Sequence, residues 1–198
     1  IGVTKNNSLF QNGETMSLDP SISDTGYKNP TITGDPSNDW TNPSNMFTSN
    51  NVYATIPAGG GSQSVSNFSL LESEGGSIPD NAIIQGISVK VEAVYTSCTG
   101  MFIFDAYISP DNQTSLYYYN YAGGSDIPQI TVYCGDPEQY YSVGGADTDG
   151  LTYLWQKQWD GKGWNATDLS NDKFRVVMTL TYTNTGTMKI DNVQVKVA

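Results

Sequence analysis

Apolar and polar positions alternate with a period of two along most of this chain, and nowhere do apolar residues recur at spacings of three and four for long enough to build a helix. In Ile83–Tyr95, written IIQGISVKVEAVY, Ile87, Val89, Val91, Ala93 and Tyr95 alternate with Ser88, Lys90 and Glu92. Met101–Ser109 places Phe102, Phe104, Ala106 and Ile108 on one face, and Phe174–Tyr182 does the same with Phe174, Val176, Met178, Leu180 and Tyr182. Such stripes belong to strands with one face in a core. Further strands are expected at Val52–Ile56, Ser64–Leu71, Leu116–Tyr121 and Ile130–Cys134, with short extended pieces at Ile1–Thr4 and Thr31–Thr33. Gly59-Gly60-Gly61, Ile78-Pro79-Asp80-Asn81 and Pro110-Asp111-Asn112 read as turns, and Asn184-Thr185-Gly186 reads as a hairpin turn into the last strand. One helical turn is expected around Thr167–Asn171. Short strands with no helices between them predict an all-β fold, an antiparallel β-sandwich of the jelly-roll kind, over residues 39–198. Residues 1–38 are polar and rich in turn formers, and are expected to be an arm packed on the domain or on a neighbour.

The last strand breaks its own pattern. Val193, Val195 and Val197 share a face, and period-two counting puts Asp191 on that face while Ile190 points the other way. A buried carboxylate without partners costs several kcal/mol. Asp191 must therefore be turned outward by a bulge at Asp191-Asn192, bind a calcium ion, or pair with Arg175 or with backbone amides.

Composition narrows the function classes. The net charge is −11, with 20 acidic against nine basic residues. Such a surface repels phosphate backbones and anionic lipid, so nucleic-acid binding is not expected. No stretch approaches the ~20 apolar residues of a membrane span, and no membrane insertion is expected. Charged residues make up only 15% of the chain, so solubility rests on hydroxyl and amide groups, a style common in secreted and virion proteins. The chain begins at Ile1, as a processed chain or a fragment would. Cys98 and Cys134 each lie at the end of a predicted strand; they are either a disulfide of an oxidising compartment or two buried thiols.

The candidate chemistry is sparse. Histidine is absent, which removes the usual base of Ser and Cys triads and the commonest ligand of transition metals. Asp24-Thr25-Gly26 spells an aspartic-protease triplet, but its flanks are polar and a plain Asp-Gly turn is the better reading. No carboxylate stands out as a buried acid: Glu92 sits on the polar side of its alternation, and Asp105 faces away from the phenylalanines. No catalytic residue is assigned and the chain is read as a non-enzyme. Calcium is the better inorganic candidate, because it takes hard oxygen ligands from Asp-rich loops. Asp147-Thr148-Asp149-Gly150 supplies Asp147 and Asp149 one residue apart, and Asp191 is a third candidate, with Asp35 and Asp39 further ones. Tyr117, Tyr118 and Tyr119 occupy both faces of one strand, and Trp155, Trp159 and Trp164 crowd a short loop. Tyr118 and Trp159 are the candidate ring platforms for a sugar or a protein, and Trp155 and Trp164 are read as core anchors.

Three stretches carry a resemblance. They are Asp39-Trp40-x-Asn42-Pro43-x-Asn45 with Val52-Tyr53-Ala54-Thr55, then Ile78-Pro79 through Val91-Glu92, and then Leu154-Trp155 through the Ile190-Asp191-x-Val193-x-Val195 ending. Together they resemble a β-sandwich module of phage virion and tail-associated proteins and of secreted bacterial surface proteins. The Ile-Asp-x-Val ending is also similar to calcium-stabilised carbohydrate-binding jelly rolls, a likeness that implies a metal-ligand role for Asp191. The resulting expectation is a structural or adhesive subunit of an extracellular or virion surface assembly, a fibre, tube or decoration. It would associate with copies of itself or with other surface proteins through strand edges or the N-terminal arm. The alternative is a carbohydrate-binding module that binds glycans on an aromatic platform, and a polysaccharide-active enzyme comes third.

Overall fold

The structure is a computed structural model that describes residues 24–34, 40–56, 61–84, 86–109, 129–145, 164–183 and 185–198. Nine strands are defined among them: β1 (Ile32–Gly34), β2 (Ala54–Ile56), β3 (Ser62–Ser66), β4 (Ile87–Thr96), β5 (Met101–Ser109), β6 (Gln129–Tyr133), β7 (Gln139–Gly145), β8 (Arg175–Thr183) and β9 (Thr187–Val197). They form two antiparallel sheets, ordered β1-β3-β8-β5-β6 and β2-β9-β4-β7. Leaving β1 aside, this is jelly-roll order: each strand lies in the opposite layer from the one before it, except β6, which pairs with β5 in the same sheet. The all-β sandwich read from the alternation is the fold observed. The helical turn expected near Thr167 is a 3-10 turn, Ala166–Leu169, closed by a capping box between Asn165 and Asp168.

The core lies between the layers and is filled by the stripes already named. From the four-stranded sheet come Ile87, Val89, Val91, Ala93 and Tyr95 of β4 and Met188, Ile190, Val193, Val195 and Val197 of β9, all buried. Opposite them lie Phe102, Phe104, Ala106 and Ile108 of β5 with Val176 and Met178 of β8. Tyr95, Phe102 and Phe104 meet edge to face at 5.6 and 6.3 Å between ring centroids, so ring quadrupole contacts add to burial there. Trp164, read as an anchor, is buried and lies edge-on to Phe174 at 5.9 Å.

Three expectations need correction. β8 and β9 do not form a hairpin: β8 pairs with β3 and β5, β9 with β2 and β4, and the turn at Thr185-Gly186 carries the chain between layers. Local turn chemistry looks alike in both cases; only the partners' register distinguishes them. The run expected as one strand to Leu71 ends at Ser66, where Asn67 and Ser69 take left-handed backbone conformations that no ladder accepts. β7, QYYSVGG, was not expected, because two Gly and adjacent tyrosines blur its alternation. The predicted strand Leu116–Tyr121 lies outside the described residues.

The cysteines form a disulfide. Cys98, in the turn between β4 and β5, bonds Cys134, just after β6, with the Cα atoms 5.6 Å apart. Behind that turn, Gly186 adopts φ +146°, and a Cβ there would stand 2.7 Å from the Cys98 side chain and from the Tyr95 ring, so the crossing permits only glycine.

Part of the N-terminal segment belongs to the sheets. Lys28 and Val195 exchange backbone hydrogen bonds of 2.8 and 2.9 Å, and Thr25 donates to the Val197 carbonyl at 3.0 Å. These residues extend the edge of β9 beyond the point where three-residue β2 stops. β1 then pairs with β3 on the other sheet.

Candidate functional site

The irregularity in the last strand marks the site. β4 and β9 run in register from Ile87↔Val197 to Glu92↔Asn192; the next pair is Ala93↔Ile190, so Asp191 is the extra residue of a β-bulge. The bulge is where the broken alternation placed it, and it restores Val193, Val195 and Val197 to the core. Asp191 itself is only 1% exposed. Its Oδ2 accepts from the amides of Asn50 and Asn51 at 2.9 and 3.0 Å, and its Oδ1 from the amide of Val52 at 3.2 Å. Asn51 has φ +60°, which turns successive N–H groups to one side and makes a small anion-binding nest. Of the partners weighed for Asp191, backbone amides are the ones observed.

Two more carboxylates reach the same place. Glu92, on β4, stands beside Asn192 of β9 and beside Tyr140 of β7. Glu138 immediately precedes β7. Carboxylate atoms of Glu92, Glu138 and Asp191 all lie within 4.8 Å of one another. At that spacing each like-charged pair repels by about 3 kcal/mol at an effective dielectric constant of ~20. The Tyr53 hydroxyl donates to Glu138 Oε2 at 2.8 Å. Burial, then this hydrogen bond and the surrounding negative charge, push the Tyr53 phenol up to about 12. Burial likewise raises the Tyr140 phenol, with the Glu92 carboxylate adding to the shift and a hydrogen bond to Ser49 opposing it. One oxygen of each glutamate, Glu92 Oε2 and Glu138 Oε1, is buried without a hydrogen-bond partner. Two such oxygens beside a third carboxylate suit a hard cation. With calcium–oxygen distances near 2.4 Å, oxygens on opposite sides of one ion stand about 4.8 Å apart.

The same face carries a second feature. Lys90 holds its ammonium 3.7 Å from the Tyr140 ring centroid and 4.8 Å from that of Tyr27, and Lys196 lies 5.3 Å from Tyr27. Cation–π attraction therefore ties the N-terminal segment, β9, β4 and β7 into one shelf. Lys196 also pairs with Asp24 at 3.2 Å. The Gly26 amide donates to Asp24 Oδ1 at 2.9 Å, so Asp24-Thr25-Gly26 is the Asx turn expected of it. The Gly26 amide first, and Lys196 second, hold the Asp24 carboxyl below its ordinary range.

The sequence pointed to Asp191 but missed Glu92, Glu138 and Tyr53 as its companions. Glu92 faces outward, as its alternation predicts, but is half-buried because Asn192, Tyr140 and Glu138 enclose it. Asp105 is also buried, accepting from Gln129 Nε2 at 3.1 Å, although it faces away from the phenylalanines as expected. Asp147, Asp149, Asp35, Asp39, Tyr118, Trp155 and Trp159 lie outside the described residues.

No known family model and no curated protein matches this chain. The solved structure of TmCBM61 in complex with β-1,4-galactotriose is similar at 8% identity, over 86% of this chain and 88% of that one, with a TM-score of 0.33.

Proposed function

We propose that this chain is a non-catalytic jelly-roll subunit of an extracellular or virion surface assembly, self-associating through strand edges or its N-terminal arm. The observation that carries the reading is the behaviour of residues 25–34: they add backbone hydrogen bonds to the free edges of β9 and β3 in succession. An arm that covers edges in its own domain can cover them in a neighbour by the same bonds, with no reactive residue needed. The disulfide fits an oxidising compartment. Electron microscopy of purified native material tests the reading: filaments, tubes or particles are expected, and a free monomer at all concentrations rejects it. Deleting residues 1–12 separates the arm from the edges, since unchanged assemblies would leave edges alone responsible.

Calcium belongs to this reading as a clamp. Asp191, Glu92 and Glu138 would hold it, joining β9, β4 and the approach to β7, and its charge would offset the repulsion among the three carboxylates. The metal role comes from the similarity of the Ile-Asp-x-Val ending and is supported by the two buried, unpartnered carboxylate oxygens. An unchanged melting temperature in excess chelator rejects the clamp.

A second reading is glycan binding. The Tyr27–Lys90–Tyr140 shelf favours it, since both rings are partly exposed beside the hydrogen-bonding groups of Ser142 and Gln194. Loss of glycan-array binding on Tyr140→Ala is the expected result, and binding that survives it rejects this surface.

A further inference from the structure

Residues 24–34 are held to the rest of the fold almost wholly by polar contacts, and of these residues only Pro30 is buried. The segment reaches both sheets. On the four-stranded sheet Lys28 bridges Val195 antiparallel, which sets Asn29 opposite Gln194 and Tyr27 opposite Lys196. Its side chains match that strand in detail. Asp24 pairs with Lys196 at 3.2 Å, and the Thr25 hydroxyl accepts from the Val197 amide at 3.0 Å. Asn29 Oδ1 accepts from Gln194 Nε2 at 3.0 Å and from Asn192 Nδ2 at 3.3 Å. The Tyr27 ring lies over the Lys90 ammonium, with the Tyr27 hydroxyl 3.4 Å from Ser88 Oγ. On the five-stranded sheet the Thr31 amide donates to the Ser66 carbonyl at 3.1 Å and its hydroxyl to the Asn67 carbonyl at 3.2 Å, and β1 continues antiparallel along β3. A segment with many directed contacts and little buried apolar surface is specific in where it sits, yet opens ahead of the core.

We infer that two copies of this chain exchange residues 24–34 reciprocally, each arm lying on β9 and β3 of the other copy in the register it takes within one chain. This rests on the self-association reading and names its contact. The seat itself selects the occupant. It is matched residue by residue by Asp24, Thr25, Tyr27, Asn29 and Thr31, and every copy carries that sequence; another strand would bring no carboxylate to Lys196, no ring to Lys90 and no amide to Gln194. Exchange of an identical element makes the same bonds in the dimer as in the monomer, so it needs no new surface, and reciprocal exchange closes as a two-fold dimer. In that dimer the Asp24–Lys196 pair and the Tyr27–Lys90 contact run between copies.

The test uses the full chain, whose two cysteines are bonded to each other and leave no free thiol. Asn29→Cys is made in one preparation and Gln194→Cys in another; Asn29 is exposed and Gln194 half-buried, so neither change reaches the core. The two are mixed at a concentration where wild type associates and are oxidised mildly. The expected result is a covalent dimer whose peptides join residue 29 of one chain to residue 194 of the other. That link should exceed the 29–29 and 194–194 links by roughly tenfold or more, because seated neighbours react at a high effective concentration. A double variant carrying both cysteines, oxidised at high dilution so that the link closes within each chain, should lose the association that wild type shows in sedimentation. If wild type associates while the mixture yields no 29–194 link between chains, or if the locked double variant associates as wild type does, the exchange is wrong and self-association through strand edges stands. A wild type that never associates overturns both.

Discussion

The two sides of the four-stranded sheet are secured by different means. On the β9 side the chain laces itself down: residues 25–28 bond the strand edge, Thr41 bonds β2, and Asp191 pins Asn50, Asn51 and Val52. On the β7 side no further strand pairs among the described residues, and the connection that leads into β7 is stapled by Cys98–Cys134. The first arrangement depends on many weak bonds and one buried charge. The second depends on one covalent link that constrains the unfolded chain. Regions held by separate means open separately, so each side should loosen without the other.

The largest effect tests that separation. Reducing the disulfide, whose cysteines are 36 residues apart, should cost about 4 kcal/mol by loop-closure entropy. Hydrogen exchange should then rise in β6 and β7 while the amides of residues 50–52 stay protected; a uniform rise would show that the two sides are one cooperative unit. Next comes Asp191→Ala, which leaves three amides without their acceptor and should cost about 3 kcal/mol. At 2–4 °C per kcal/mol for a domain of this size, calorimetry should record a drop of roughly 6–12 °C, and exchange should rise at residues 47–53 with β7 unaffected. Calcium at a hundredfold excess over its dissociation constant should raise stability by about 2.7 kcal/mol. That gain should disappear in Glu138→Gln, because Glu138 brings a carboxylate from the β7 side to Asp191 on the β9 side.

A smaller effect is expected in alkali. The Tyr53 phenol is raised from 10.0 to about 12. A group whose folded value is raised contributes stability that is complete below the unfolded value and lost as pH climbs through the folded one. Stability should therefore fall between pH 10 and 12, and less steeply in Tyr53→Phe; equal slopes would mean that the half-buried phenol plays no part. The smallest effect is at Asp24, whose lowered value makes its contribution present above 3.8 and lost as pH falls below that. Its pair with Lys196 is exposed, so Asp24→Asn should cost under about 1 kcal/mol.

The parts legible in the sequence were those that obey local rules. Alternation in β4, β5, β8 and β9 gave the strands and the core face, because burial on one side of a sheet repeats every second residue. The Asp191 irregularity was legible for the same reason: a broken period in an otherwise regular strand needs a bulge. What was not legible depends on register between distant strands. Glu92 meets Glu138 and Asp191 only because β4 lies between β7 and β9, and nothing within IIQGISVKVEAVY marks that. The hairpin expected at Asn184-Thr185-Gly186 failed likewise, since a Gly-containing turn serves equally for neighbours in one sheet and for a step between two. β7 escaped notice because its edge position, with glycines at its end, relaxes the demand for strict alternation.

Single-residue insertions and deletions near the C-terminus should be unusually revealing. The bulge at Asp191 absorbs one residue out of phase, so Met188 and Ile190 on one side of it and the three valines on the other look inward together. Deleting Asp191 would leave Ile190, Asn192 and Val193 in plain alternation, with the core face kept and the amides of residues 50–52 without their acceptor. The strand's core face thus needs no acid, and what the kink secures is the carboxylate's seat under residues 50–52.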